Sequence, residues 1–242
     1  MSDFRGRAEA FVEKVAASLG PRLRSVVLHG SAARGEAVQG VSDVNLLVLV
    51  DDVEPGLLRE LAPHARRWLD RERALPLLLE WDEWRDASDS FAIVTADMLD
   101  ARDVLHGPDP LEGSTVRPED LRVQAERELR AKLIHLREGL LAGAGRPKDL
   151  GALVLRALPS LATYFRTTLR LAEQPVPATT LQVLETGAGL VGADGTPLAE
   201  LWALRGAGKP PRLTLDDLRV RVLHDTFEKT VNHVDILGGE RQ

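Results

Sequence analysis

The segment Val26-Val27-Leu28-His29 runs directly into Gly30-Ser31, and twelve residues after Ser31 comes Asp43-Val44-Asn45, followed by the apolar run Leu46 to Val50. This pattern reads as strand, tight turn, short helix and second strand, because short β-branched runs bounded by Gly, Ser and Asp favour extended chain. At Gly30 the missing Cβ allows close backbone approach. Backbone N–H groups at the start of a helix, with the Ser31 hydroxyl, make a site for an anion. Asp43 and Asn45, two apart on a strand, point to one face. The pairing of an anion-binding turn with polar groups on the next strand predicts chemistry on phosphates.

Composition narrows the class. A chain of 242 residues, 44% hydrophobic and 28% charged, supports one large domain or two modest ones. It contains no cysteine, which excludes disulfides, thiolate metal sites and a cysteine nucleophile. Met1 to Arg7 carries no apolar signal core, and no apolar run approaches a membrane span, so a cytoplasmic location is expected. Residues 1–112 hold 13 Lys+Arg against 21 Asp+Glu, a net −8, whereas residues 113–242 hold 18 against 16, a net +2. The acidic first half argues against an extended nucleic-acid face, which needs accumulated Lys and Arg. A small ligand is the better expectation.

The first half alternates helical and extended patterns. Phe4, Ala8, Phe11, Val12, Val15 and Leu19 recur at helical spacing up to Gly20-Pro21. A second helix starts near Pro55 and is expected to carry Leu57, Leu58, Leu61, Ala65, Trp68 and Leu69 on one face. Leu75 to Glu80 predicts a third strand and Phe91 to Val94 a further short one. Two prolines and two glycines between Gly107 and Gly113 suit neither helix nor strand, placing a domain boundary there: 1–112 and 113–242. Beyond it the pattern is helical. Leu121, Ala125, Leu129, Leu133, Leu136 and Leu140 form one stripe, followed by helices over about 150–172 with Pro159 inside, 179–186, 197–204 and 214–237, the last capped by Thr214 with Asp217. The expected architecture is an α/β (α+β) N-terminal domain followed by an all-α bundle.

With these residues in place, the chain resembles the DNA polymerase β-like nucleotidyltransferase superfamily, in particular its kanamycin nucleotidyltransferase-like two-domain members. Gly30-Ser31 stands at the family's Gly-Ser position, and Asp43 and Asn45 at its Asp-x-Asp/Glu position. The similarity extends through Asp89 to Val94, Val104 to Gly107 and Leu121 to Arg130. It implies that the sheet of the first domain is mixed, and it implies a nucleoside triphosphate and a small-molecule acceptor as partners, with Mg2+ held by Asp43 and Asn45 when the site is functional. Two departures stand out: Asn45 replaces the second carboxylate and Val94 the third acid. An amide oxygen supplies no negative charge, and valine neither ligates nor accepts a proton. Glu80, or Asp97 under a shifted alignment, is the available replacement acid.

Arg34 is placed to meet a phosphate, the alternative being a solvated helix-end charge. Lys132, on the stripe of Ala125, Leu129 and Leu136, is placed to meet nucleotide in a cleft between the domains, the alternative being an i,i+4 pair with Glu128. Gly187 to Gly192 matches a dinucleotide fingerprint as a string but lies after a helix, and is expected to be a loop. Six histidines show no metal-ligand clustering. The expectation is a nucleotidyltransferase fold with a degenerate metal site that binds nucleotide with weak or no transfer. Alternatives are magnesium-dependent transfer of a nucleoside monophosphate to a small-molecule hydroxyl or a protein side chain, and an antitoxin-like module whose surface engages an oligomer or protein partner.

Overall fold

The computed structural model describes residues 4–39, 41–87, 89–207 and 209–239, so Met1, Ser2 and Asp3 of the amino-terminal segment lie outside the described residues. The chain divides into two compact units, Met1–Val116 and Arg117–Gln242.

In the first unit, α1 (Phe4–Leu19) buries Phe4, Ala8, Phe11, Val12, Val15 and Leu19, the stripe its spacing predicts. Among the described residues four strands follow: β1 (Leu23–His29), β2 (Asn45–Val50), β3 (Leu77–Glu80) and β4 (Arg102–His106). They form one sheet in the order β3-β2-β1-β4. β1 is antiparallel to both β2 and β4, and β2 is parallel to β3. The sheet is therefore mixed, as the family resemblance implies. The parallel pair requires a crossover, supplied by α2 (Pro55–Glu72).

Both sheet faces are covered, which explains why β2 reads as a continuous apolar run. On one face Val26, Leu28, Leu46, Val48 and Val50 pack with the apolar sides of α1 and α2. Arg7 joins those two helices through a bidentate pair with buried Glu72, at 2.6 and 2.9 Å. On the other face Val27, Leu47, Leu49 and Leu79 pack with Trp84 of α3 (Trp81–Asp86) and Met98 of α4 (Ala92–Asp100). Each fully buried Leu or Val contributes about 1.5–3 kcal/mol, so this sandwich holds the end of β1 and its turn rigidly.

Phe91 to Val94 is not a strand. Residues from Ala92 onward begin α4, and Phe91 instead stacks on Trp84 with ring centroids 5.7 Å apart. The short apolar run is the start of a helix buried against the sheet, a case that periodicity alone does not resolve. The fourth strand is β4, which the spacing did not reveal.

The second unit is a helical bundle of α5 (Pro118–Gly143), α6 (Pro147–Leu171), α7 (Thr180–Leu190), α8 (Thr196–Ala203) and α9 (Leu218–Gly239). Pro159 lies within α6 without ending it. Three expectations are corrected. Gly187 and Gly189 belong to α7, not a loop, and a Cβ at Gly187 would sit 2.2 Å from the Phe165 ring, so this glycine permits close helix packing. The last helix starts at Leu218, and Asp217, not Thr214, accepts from the Arg219 N–H at 3.0 Å. On α5 the buried stripe passes through Leu129, Leu133 and Leu136, leaving Lys132 exposed. Among the described residues, no helix is long and apolar enough to cross a membrane.

Candidate functional site

β1 ends at His29 and the chain turns at Gly30, whose φ of +72° lies in the left-handed region that favours glycine. The Gly30 carbonyl accepts from the Arg34 N–H at 3.1 Å and the Ser31 carbonyl from the Glu36 N–H at 2.9 Å. Gly35, also at φ +72°, closes the loop. Residues 31–35 are thus a single tight turn, not the expected short helix. Among the described residues, the turn's own hydrogen bonds begin at the Arg34 N–H and leave those of Ser31, Ala32 and Ala33 unused, as at a helix start.

β2 lies beside this turn. Asn45 pairs with His29 across the β1–β2 ladder, and a Cβ placed on Gly30 would come within 2.9 Å of Asn45 Nδ2. Asp43 is exposed and precedes the strand, which starts at Asn45. The structure therefore brings Gly30, Ser31 and Asn45 together at one end of the sheet, with Asp43 two residues before Asn45.

Arg34 turns back to the sheet. Its Nη1 and Nη2 donate to the two carboxylate oxygens of Asp97 on α4, at 3.1 and 3.3 Å. The pair is nearly enclosed, with 12% of the Arg34 side chain and 11% of that of Asp97 exposed. Arg34 Nε is buried without a hydrogen-bond partner, 3.8 Å from a carboxylate oxygen of Glu36. An enclosed N–H left unsatisfied costs about 1–3 kcal/mol. Of the two replacement acids considered from the sequence, Asp97 is the one beside the turn.

Glu80 is elsewhere. It pairs with Val50 in the parallel β2–β3 register, five residues along β2 from Asn45, or roughly 16 Å at the rise of a strand. Its carboxylate accepts from the Val53 N–H at 2.9 Å, and its own N–H donates to Glu83 at 3.3 Å. These bonds fix the start of α3 and do not face the turn. Val94, aligned with the family's third acid, is on α4 and packs against the apolar cluster of Leu47, Leu49 and Trp84. Lys132 belongs to the second unit.

His29, only 8% exposed, was not distinguished from the other histidines by sequence. Burial lowers its pKa to about 4; nearby Asp97 opposes the shift and Arg34 reinforces it. In the unfolded chain the imidazole protonates near 6.5. Between those values the unfolded state holds more protons, so this group's contribution is complete above pH 6.5 and is lost as pH falls toward 4. The expected loss is roughly 3 kcal/mol. Melting temperatures of wild type and His29→Gln between pH 4 and 7 check this: the variant should show a shallower slope, and an identical slope rejects a neutral buried His29.

Among the described residues, no three His, Asp or Glu side chains gather into a group that could hold a metal ion. Asn45 supplies an amide, the Asp97 carboxylate is engaged by Arg34, and Glu80 lies at the opposite end of β2. These donors do not fit the carboxylate cluster that holds a pair of magnesium ions in phosphoryl-type transfer.

Within the first unit, which carries this mixed sheet and Gly-Ser turn, residues 10–88 match the family model described as "Nucleotidyltransferase domain". In overall fold the chain is similar to spectinomycin adenyltransferase AAD(9) from Enterococcus faecialis, solved with ATP and spectinomycin, at a TM-score of 0.59. That likeness spans 95% of this chain and 99% of the other at 11% identity, and it concerns the fold. No curated protein sequence matches the chain.

Proposed function

We propose that this protein binds a nucleoside triphosphate at the Gly30–Arg34 turn and transfers nucleotide weakly or not at all. The observation that carries the reading is the Arg34–Asp97 pair beside a Gly-Ser turn: an arginine is held at that end of the sheet, and the acid beside it is engaged by the guanidinium. Turn N–H groups, the Ser31 hydroxyl and the Arg34 guanidinium would receive phosphate oxygens. Exposed Asp43 would meet the magnesium ion that a triphosphate carries in solution, the ion belonging to the ligand. With an amide at 45, the negative charge that would hold a magnesium ion against the reacting phosphate is reduced.

Calorimetric titration of ATP, GTP, CTP and UTP, with and without magnesium, tests the reading. Wild type should bind at least one of them in magnesium, and Asp43→Ala should lower that affinity by about tenfold or more. Absence of binding by wild type to all four nucleotides rejects the site.

A second reading is magnesium-dependent transfer of a nucleoside monophosphate to a hydroxyl of a small molecule. The likeness across both units to a solved adenyltransferase holding ATP and spectinomycin favours it. Incubation of each nucleotide with an aminocyclitol acceptor separates the two: stoichiometric pyrophosphate release favours transfer, and binding without turnover favours the first reading.

A further inference from the structure

We infer that Asp97 sets the affinity of this site by competing with the triphosphate for the Arg34 guanidinium. The inference rests on the nucleotide site proposed above. A guanidinium recognises carboxylate and phosphate through the same planar fork of N–H donors. In the structure that fork is occupied: both Nη atoms of Arg34 donate to Asp97, one to each oxygen. Asp97 therefore stands where two phosphate oxygens would stand.

Local charge points the same way. Around Arg34 lie two carboxylates, Asp97 in a bidentate contact and Glu36 at 3.8 Å. Exposed Asp43 is close in sequence to Asn45, the register partner of His29. His29, lowered to about 4 by burial, is neutral at pH 7 and adds no positive charge. A bare triphosphate meets an acidic neighbourhood in which the arginine is already neutralised. A triphosphate complexed to magnesium carries less charge and is repelled less. The unsatisfied Arg34 Nε–H shows that Asp97 does not use the whole guanidinium.

The consequence is opposite in sign to that of a merely structural contact. Replacing Asp97 by Asn keeps the size and a carbonyl acceptor but removes the competing charge. Asp97→Asn should bind ATP and inorganic tripolyphosphate about tenfold more tightly in EDTA, and gain less than about threefold in magnesium. Arg34→Gln should weaken both ligands, and in that background Asp97→Asn should confer no gain, the coupling expected of two residues in direct contact.

The experiment is calorimetry of the full chain and these three variants with ATP and tripolyphosphate in both buffers, alongside melting temperatures. Should Asp97→Asn fail to fold, wild type still answers. The carboxyl carbon NMR signal of Asp97 should move when tripolyphosphate displaces it from Arg34. A folded Asp97→Asn that binds no more tightly than wild type, or an Asp97 signal unmoved in the nucleotide-bound protein, overturns this inference and leaves the nucleotide site standing. Absence of binding in wild type and Asp97→Asn, in both buffers, overturns both.

Discussion

Gly30→Val is expected to reduce nucleotide affinity by about 100-fold or more, equivalent to roughly 2.7 kcal/mol. Gly30 sits at φ +72°, a region in which a β-branched residue is an outlier, and its added Cβ would lie 2.9 Å from Asn45 Nδ2. The Asn45 amide can swing away, but the dihedral cannot be kept, so the backbone must rotate. Rotation moves the carbonyl that accepts from the Arg34 N–H, and with it the Ser31–Arg34 turn. Gly35→Ala is the matched control: it has the same φ, with nothing within 4 Å of the added Cβ. It should lower stability by the left-handed strain alone, about 1–2 kcal/mol, and retain binding. Titration of both folded variants decides the matter; full affinity in Gly30→Val would mean that nucleotide, if bound, is bound elsewhere.

Gly107→Ala should produce the largest loss of stability. Gly107 follows β4 with φ +70°, and a Cβ there would fall 1.9 Å from the carbonyl oxygen of Arg24 on β1. The obstacle is backbone, not a side-chain tip. It lies just beyond the Val26–His106 pair that ends the β1–β4 ladder. Left-handed strain of about 1–2 kcal/mol adds to an overpacking cost of about 1–3 kcal/mol. Because about 1 kcal/mol shifts the melting temperature of a domain this size by roughly 4 °C, a loss of about 8 °C or more is expected for the first unit. Calorimetric melting measures it, and an unchanged transition rejects the close approach of β4 to β1.

These residues also show where sequence reasoning succeeds. The burial stripe of α1, the two strands around the turn and the long bundle helices were all legible because each is fixed by local periodicity. The nucleotidyltransferase resemblance was carried by Gly30, Ser31 and Asp43, and the family-model match to residues 10–88 agrees with it. Reading failed where burial rather than periodicity decides. The run before Asp97 is apolar on every side because α4 lies against the sheet, so it looked like a strand. Glu80 looked like a replacement acid because it ends a strand, yet the parallel register of β2 and β3 puts it beside Val50. Register is a property of two chains, invisible in either alone.

What the sequence determined by itself is the local chemistry: a Gly-Ser turn at 30–31, an acid at 43 and an amide at 45. Only the tertiary structure decided which distant groups complete it. Arg34 and Asp97 are separated by 63 positions, and no spacing rule links them. They meet because α4 packs on the same sheet face that His29 occupies, and in that enclosed place an arginine needs an acid to offset its charge.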